Sequence, residues 1–185
     1  MLIAFEGPDR VGKSTQCALL AAHLRAAGIA VEVFSFPKRG TRVGQLLAEH
    51  LGGQGEALPD RASHLLFSAN RWEHEDDIRK VLDAGAVVIL DRYVASGTAY
   101  SVAQGLPRAW CIAADHGLPV PARTLLLHAE ARHGYGGERY ETQVFQGRVA
   151  REFDSMQTAA WRVVDADGSI HEVHARVLDA VADIV

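Results

Sequence analysis

The stretch Met1-Leu-Ile-Ala-Phe5-Glu6-Gly7-Pro8-Asp9-Arg10-Val11-Gly12-Lys13-Ser14-Thr15-Gln16 decides the fold. Its first five residues are apolar, as expected of a strand buried on both faces in a parallel sheet. Gly7-x-x-x-x-Gly12-Lys13-Ser14 then fits the phosphate-binding P-loop pattern. Leu19, Leu20, Leu24 and Ala27 follow at helical spacing, so the loop has a strand before it and a helix after it. Glycines let successive backbone N–H groups point inward, and the helix N-terminus adds partial positive charge. Lys13 has the length to reach the outer phosphates of a nucleotide, and the Ser14 hydroxyl suits a magnesium ion between them.

The rest of the chain extends this βα pattern. Gly28 stands where a helix cap belongs, and residues 29–36 read as a second strand running into Pro37-Lys38-Arg39-Gly40. Val43, Leu46, Leu47 and Leu51 predict a second helix. Residues 59–82 read as one long helix carrying Phe67 and Arg71, which are four apart and share a face. Taken alone, that pair reads most simply as a core aromatic beside a surface arginine. Residues 86–90 form an apolar strand that delivers Asp91 and Arg92 to its carboxyl end, with a helix starting at Ser96-Gly97. Tyr100 to His116 is expected to be helical apart from Gly105-Leu106-Pro107, and residues 123–128 form a fourth strand. The glycine- and arginine-rich segment 129–142 is expected to be a flap. Val144, Val149, Phe153 and Met156 predict a helix with those side chains in the core. A fifth strand at 161–166 and a final helix on Ile170, Val173, Val177 and Val181 complete a five-stranded parallel sheet with helices on both faces. The P-loop, the Pro37 turn and the Asp91-Arg92 pair all follow strands and so gather at one sheet edge, where α/β proteins place ligands.

Composition bounds the alternatives. A chain of 185 residues, 48% hydrophobic and 23% charged, suits a single globular domain. A formal net charge of -4 argues against a general nucleic-acid or membrane surface. Two cysteines without CxxC spacing argue against a disulfide framework or structural zinc. His171-x-x-His174 is the only close histidine pair, and it lacks a third ligand. No leader pattern precedes the first strand and no apolar run is long enough to span a bilayer, so a cytoplasmic enzyme is expected.

The motifs together resemble the thymidylate kinase family, in its eukaryotic and viral branch with the catalytic arginine in the P-loop. The resemblance rests on Phe5-Glu6-Gly7 with Asp9-Arg10, Phe36-Pro37-x-Arg39, and Leu66-Phe67-Ser-Ala-Asn70-Arg71-Trp72-Glu73. It continues through Asp91-Arg92-Tyr93-x-x-Ser96-Gly97-x-Ala99-Tyr100, Gly117-Leu-Pro119 and Glu138-Arg139-Tyr140-Glu141. It implies a P-loop nucleoside monophosphate kinase fold and magnesium-dependent transfer of the ATP γ-phosphoryl group to dTMP, by a homodimer. Asp9, Arg10, Lys13, Asp91 and Arg92 are the implied catalytic set, and Ser14 and Asp91 the implied magnesium ligands. ATP is expected on Gly7, Pro8, Asp9, Arg10, Val11, Gly12, Lys13, Ser14 and Thr15, with Arg132 over adenine and Asp165-Ala166 at the base edge. The implied dTMP site comprises Asp9, Phe36, Pro37, Arg39, Phe67, Arg71, Arg92, Ser96, Gly97, Tyr100 and Tyr140. In it Phe67 stacks on thymine, Arg71 bonds its edge, and Tyr100 with Tyr140 crowds the sugar 2′ position. Only Ala129-Glu130-Ala131 separates the fourth strand from Arg132, shorter than is usual in the family, which predicts looser or less selective ATP binding. A broader deoxynucleotide range is the alternative within enzymes. A guanine-nucleotide switch lacks its Asn-Lys-x-Asp signature, and a dead binding module is disfavoured by the intact Arg10, Lys13, Ser14 and Asp91.

Overall fold

The computed structural model describes residues 1–54, 56–129 and 137–185. Five strands, β1 (Leu2–Glu6), β2 (Val31–Ser35), β3 (Val87–Asp91), β4 (Arg123–His128) and β5 (Trp161–Asp165), form one sheet in the order β2-β3-β1-β4-β5. Every pairing is parallel. The helices between them are α1 (Lys13–Ala26), α2 (Arg42–Leu51), α3 (Asp60–Trp72), α4 (Glu75–Asp83), α5 (Val94–Ala103), α6 (Arg108–Ala113), α7 (Gln143–Ser155) and α8 (Ile170–Val181).

Both faces of the sheet are covered, and the alternation along β1 shows how. Ile3 and Phe5 pack with Leu20 and Leu24 of α1 and Val173 and Val177 of α8. Leu2 and Ala4 face the other way, toward Phe34, Ile78 of α4 and Tyr93. Farther along that second face, Leu126 of β4 packs with Ala99 of α5 and with Val149 and Phe153 of α7. The chain lays β3 on one side of β1 and then crosses to place β4 on the other. The P-loop, which follows β1, therefore sits at the switch point between two crossovers of opposite direction.

The structure corrects several sequence expectations. The helix expected over 59–82 is two helices, broken at Glu73-His74. Ordinary helical bonding ends there because the His74 N–H turns to the Arg71 carbonyl (3.1 Å), and Glu75, Asp76 and Asp77 then supply the negative charge that a helix N-terminus favours. Val144 is 73% exposed, because α7 has only just begun there and its buried stripe runs through Gln146, Val149 and Phe153. The helix after β3 begins at Val94, two residues before Ser96, and the last helical residue before His116 is Ala113.

Candidate active site

Where β1 ends, Gly7 adopts φ 136°, and a Cβ there would lie 2.5 Å from the Leu127 carbonyl oxygen of β4. Any side chain would push the loop off the sheet. Arg10 and Arg92 hold φ values of 62° and 66°, a left-handed conformation that non-glycine residues adopt at an energetic cost. Both carry guanidiniums into the same cavity of about 450 Å³. Strain concentrated on two functional-type cations is the pattern of a site held in place by its surroundings.

The P-loop wraps the start of α1, and Lys13 Nζ donates back to the Pro8 carbonyl at 2.5 Å. Lys13 is 5% exposed. Burial, reinforced by the charge of Arg92, pulls its pKa down to about 7, with Asp9 and Asp91 opposing. Ser14 Oγ donates to Asp91 Oδ2 at 2.5 Å, joining the first residues of α1 to the end of β3. These two oxygens suit a hard cation, and a magnesium site completed by phosphates and water needs no further carboxylate. Among the described residues no group of three or more His, Cys, Asp or Glu side chains could hold a metal alone. His171 and His174 gain no third ligand, although His23 approaches His174 with ring centroids 6.2 Å apart.

Each arginine of the cavity has a carboxylate partner. Arg92 pairs with Asp9 and donates to the Gly7 carbonyl at 3.0 Å. Arg39 meets Glu138 at 2.5 Å and Arg10 meets Glu141 at 2.9 Å, which holds the Glu141 carboxyl below the usual range. The Arg10 and Arg39 side chains are 42% and 54% exposed, so water screens these pairs and they yield readily to a phosphate. Arg71 is different. Its pair with Asp115, at 2.6 Å, is buried to 3% and 1% side-chain exposure.

Some of the other expected residues line this cavity and some do not; Gly7 and Pro8 form the loop beneath it. Phe36, Pro37, Phe67, Ser96, Gly97, Tyr100 and Tyr140 line the same cavity as Asp9, Arg10, Gly12, Lys13, Ser14 and Thr15. The Phe36–Pro37 peptide is cis. Tyr100 and Tyr140 meet edge to face at 6.2 Å, and Phe145 stacks on Tyr140 at 5.3 Å, which makes a stiff aromatic wall. Val11 points into the core instead, among the residues under α1. Asp165 and Ala166 do not line the cavity. They close the end of β5, where the Ala166 N–H donates to the His128 carbonyl at 2.7 Å. Arg132, and the shortened segment before it, lie outside the described residues.

Four polar residues that organise the site were given no role by the sequence reading, although Glu6 and Asn70 stand in its motifs. Glu6, 1% exposed, accepts from the Tyr93 N–H (3.0 Å), the Ser96 N–H (3.2 Å) and the Ser96 hydroxyl, and so caps α5 from another element. Burial raises its pKa, with the Ser96 donors and the charge of Arg92 opposing. Gln146 accepts from the Asp9 N–H (2.9 Å) and donates to Asp9 Oδ2 (2.6 Å) and the Tyr140 carbonyl (3.0 Å). Asn70 Oδ1 accepts from the Lys38 N–H at 2.7 Å and steadies the loop that carries Arg39. Asp115 is the fourth. Gln146 could have been found, since it precedes Val149 by three and Phe153 by seven and so sits on the buried stripe. Glu6 carried a signal too, as a lone charge closing an apolar strand.

Cations from the P-loop, from the turn after β2 and from the end of β3 converge between a phosphate cradle and a recess walled by Phe67 and two tyrosines. A phosphate cradle beside a walled recess is the arrangement of a nucleoside monophosphate kinase of the P-loop fold. The thymidylate kinase family profile matches residues 5–177. A thymidylate kinase from Arabidopsis thaliana is 41% identical over 100% of this chain and 72% of its own length. One from Homo sapiens is 42% identical over 94% of this chain and 85% of its own length. The solved structure of a Candida albicans thymidylate kinase, described as broad in substrate specificity, superposes with a TM-score of 0.88 at 36% identity, covering 98% of this chain and 91% of that one. The chain belongs to the thymidylate kinase family.

Proposed function

We propose that this protein transfers the γ-phosphoryl group of ATP to dTMP, giving dTDP and ADP, with magnesium as the required cation. The observation that carries the reading is that one cavity is lined by Lys13 and Arg10 of the P-loop, by Phe67 and Arg71 of α3 and by Arg39 and Arg92. The family profile and the relatives named above are all thymidylate kinases, so dTMP is proposed as the acceptor ahead of a broader deoxynucleotide range; the Candida albicans relative, itself described as broad in specificity, is why other monophosphates belong in the test.

In this reading the dTMP phosphate takes the guanidiniums of Arg39 and Arg92, displacing Glu138 and easing the Asp9 pair. Planar donors suit that bidentate task. Asp9, held from behind by Gln146, then accepts from the sugar 3′-OH. Thymine lies on Phe67 with its edge toward Arg71, and Tyr100 and Tyr140 fill the space a 2′-OH would need. ATP lies along the P-loop, with Arg132 and the Asp165-Ala166 turn at its base. Lys13 reaches the transferred group, and Arg10 leaves Glu141 to bridge donor and acceptor phosphates. Ser14 and Asp91 would hold magnesium, which when bound neutralises charge on the ATP phosphates. The attacking phosphate oxygen needs no protein nucleophile, so alignment and positive charge supply the rate.

The proposal treats residues 1–185 as one kinase unit with a flap at 129–142. It includes a homodimer, supported by Leu65 and Trp72, exposed at 49% and 39% and seven apart on α3. A cytoplasmic site of action is part of it, supported by the buried unpaired thiols Cys17 and Cys111. No described helix is long and apolar enough to cross a membrane.

The test is ADP release from ATP and magnesium with dTMP, dUMP, dCMP and dGMP as acceptors. Turnover with dTMP well above the others, abolished in Lys13→Ala, is the expected result. No transfer to any monophosphate would refute the reading.

A further inference from the structure

Asp115 lies on no element assigned to substrate, yet it accepts three hydrogen bonds beside the base recess, two of them from Arg71. Arg71 Nε donates to its Oδ1 at 3.1 Å and Arg71 Nη2 to its Oδ2 at 2.6 Å. Ser68, one turn before Arg71 on α3, donates its hydroxyl to Oδ1 at 2.7 Å and shares it with the Ala114 carbonyl at 2.9 Å. The fork is held side-on, with its plane pressed against α5. A Cβ on Gly97 would lie 2.7 Å from Nη2, 2.9 Å from Nη1 and 3.0 Å from Cζ. The guanidinium can therefore neither swing nor slide. Among the described residues Nη1 makes no hydrogen bond, and Arg71 lines the cavity.

We infer that Asp115 is a positioning residue that sets base selectivity, by fixing Arg71 as an immobile donor that donates to a base carbonyl at that edge and refuses an amino group. The inference rests on the reading of Phe67 and Arg71 as the base subsite. Two physical arguments support it. A guanidinium offers donors and no acceptor, so a thymine or uracil carbonyl satisfies it and the exocyclic amine of cytosine does not. A mobile arginine would blunt that difference by turning aside and letting water intervene. A locked one leaves a wrong base with an unpaired buried donor. Charge gives the second argument. The pairs on Arg10 and Arg39 are exposed and exchangeable, which suits cations meant for phosphate. Arg71 and Asp115 are buried together, so no phosphate displaces the carboxylate. Asp115 thus cancels a cation that would otherwise draw the dTMP phosphate to the wrong end of the cavity.

The experiment compares kcat/KM for dTMP, dUMP and dCMP in the full-length wild type, Asp115→Asn, Ser68→Ala and Arg71→Met, with the thermal midpoint of each. Asp115→Asn is expected to lower the dTMP-to-dCMP ratio by about tenfold or more, chiefly through a higher KM for dTMP, as loss of an aligned charged donor predicts. dUMP should follow dTMP, because it presents the same carbonyl. Ser68→Ala should shift the ratio the same way by less, and it carries the test alone if Asp115→Asn does not fold. A merely structural role would lower all three substrates by one common factor. That outcome, or an unchanged ratio beside a collapsed one in Arg71→Met, overturns the inference and leaves the base subsite standing. An unchanged ratio in Arg71→Met removes the base subsite itself, and the inference with it.

Discussion

Replacing Gly97 by alanine is a one-carbon perturbation whose sign depends on what that carbon meets. Gly97 is interior to α5, so propensity alone favours alanine by about 0.5–1 kcal/mol. The new Cβ would sit 2.7 Å from Arg71 Nη2, whereas ordinary contact begins at 3.4 Å, a deficit of 0.7 Å. A flexible side chain would move away cheaply. Arg71 is held by Asp115 at 2.6 and 3.1 Å, and retreating by the deficit would stretch the shorter bond toward the limit of hydrogen bonding. Overpacking of this kind costs about 1–3 kcal/mol, and a broken buried ion pair about 3–5. With the helix gain subtracted, a net loss of about 2–3 kcal/mol is expected, which lowers the thermal midpoint by about 4–10 °C in a chain of this size. The KM for dTMP should rise with it. Gly147→Ala is the control, since that Cβ meets nothing within 4 Å in the interior of α7. It should raise the midpoint by about 1–3 °C through propensity alone. Differential scanning calorimetry on the two variants settles the matter. A Gly97→Ala protein as stable as Gly147→Ala, with unchanged KM, would refute the claim that Arg71 is immobile.

Acid should weaken the fold through its histidines. Burial lowers the pKa of both His50 and His64, and the His64 ring lies between the Ser101 hydroxyl (2.7 Å) and the Cys111 carbonyl (3.0 Å). A folded pKa below the unfolded value means the stabilisation is complete above about pH 6.5 and is lost as pH falls through that value, by up to about 1.4 kcal/mol per histidine per pH unit. Urea midpoints between pH 8 and 5.5 should show the decline, and His64→Gln should flatten it. Arg10→Ala should reduce kcat by about a thousandfold or more with a smaller change in the KM for dTMP, as for other arginines used mainly in the transition state of phosphoryl transfer. Rapid-quench measurement of the chemical step would test this, and a loss confined to KM would count against it. Phe153→Ala, at a fully buried side chain packed on Leu126, should cost about 3–5 kcal/mol in chemical denaturation.

Local pattern carried most of the architecture, because the inner strands β1, β3 and β4 are built on apolar runs and the covering helices repeat their apolar residues every three or four positions. The break at His74 falls in the run Glu73 to Asp77, which carries no apolar residue; five polar residues also fit the solvated face of one continuous helix, so the acidic start of α4 did not separate it from α3. Val144 shows the converse, since an apolar residue in the first turn of α7 need not face the sheet. Within the site, residues at the carboxyl ends of β1, β2 and β3 were legible because topology sends those ends to one edge. Long-range polar partners were not. Arg71 and Asp115 lie 44 positions apart, and Asp9 and Gln146 are separated by 137. Nothing local marks a side chain as half of such a pair. Reading Arg71 as a surface arginine failed on that ground, for its charge is buried because Asp115 arrives from the turn after α6.

The measurement that bears most directly on the account is a crystal structure with dTMP and a non-hydrolysable ATP analogue bound together. The account predicts the monophosphate on Arg39 and Arg92, Glu138 and Glu141 released from their arginines, thymine on Phe67, and the Arg71–Asp115 fork unmoved. A monophosphate seated away from Arg39 and Arg92, with both glutamates still paired, would contradict it.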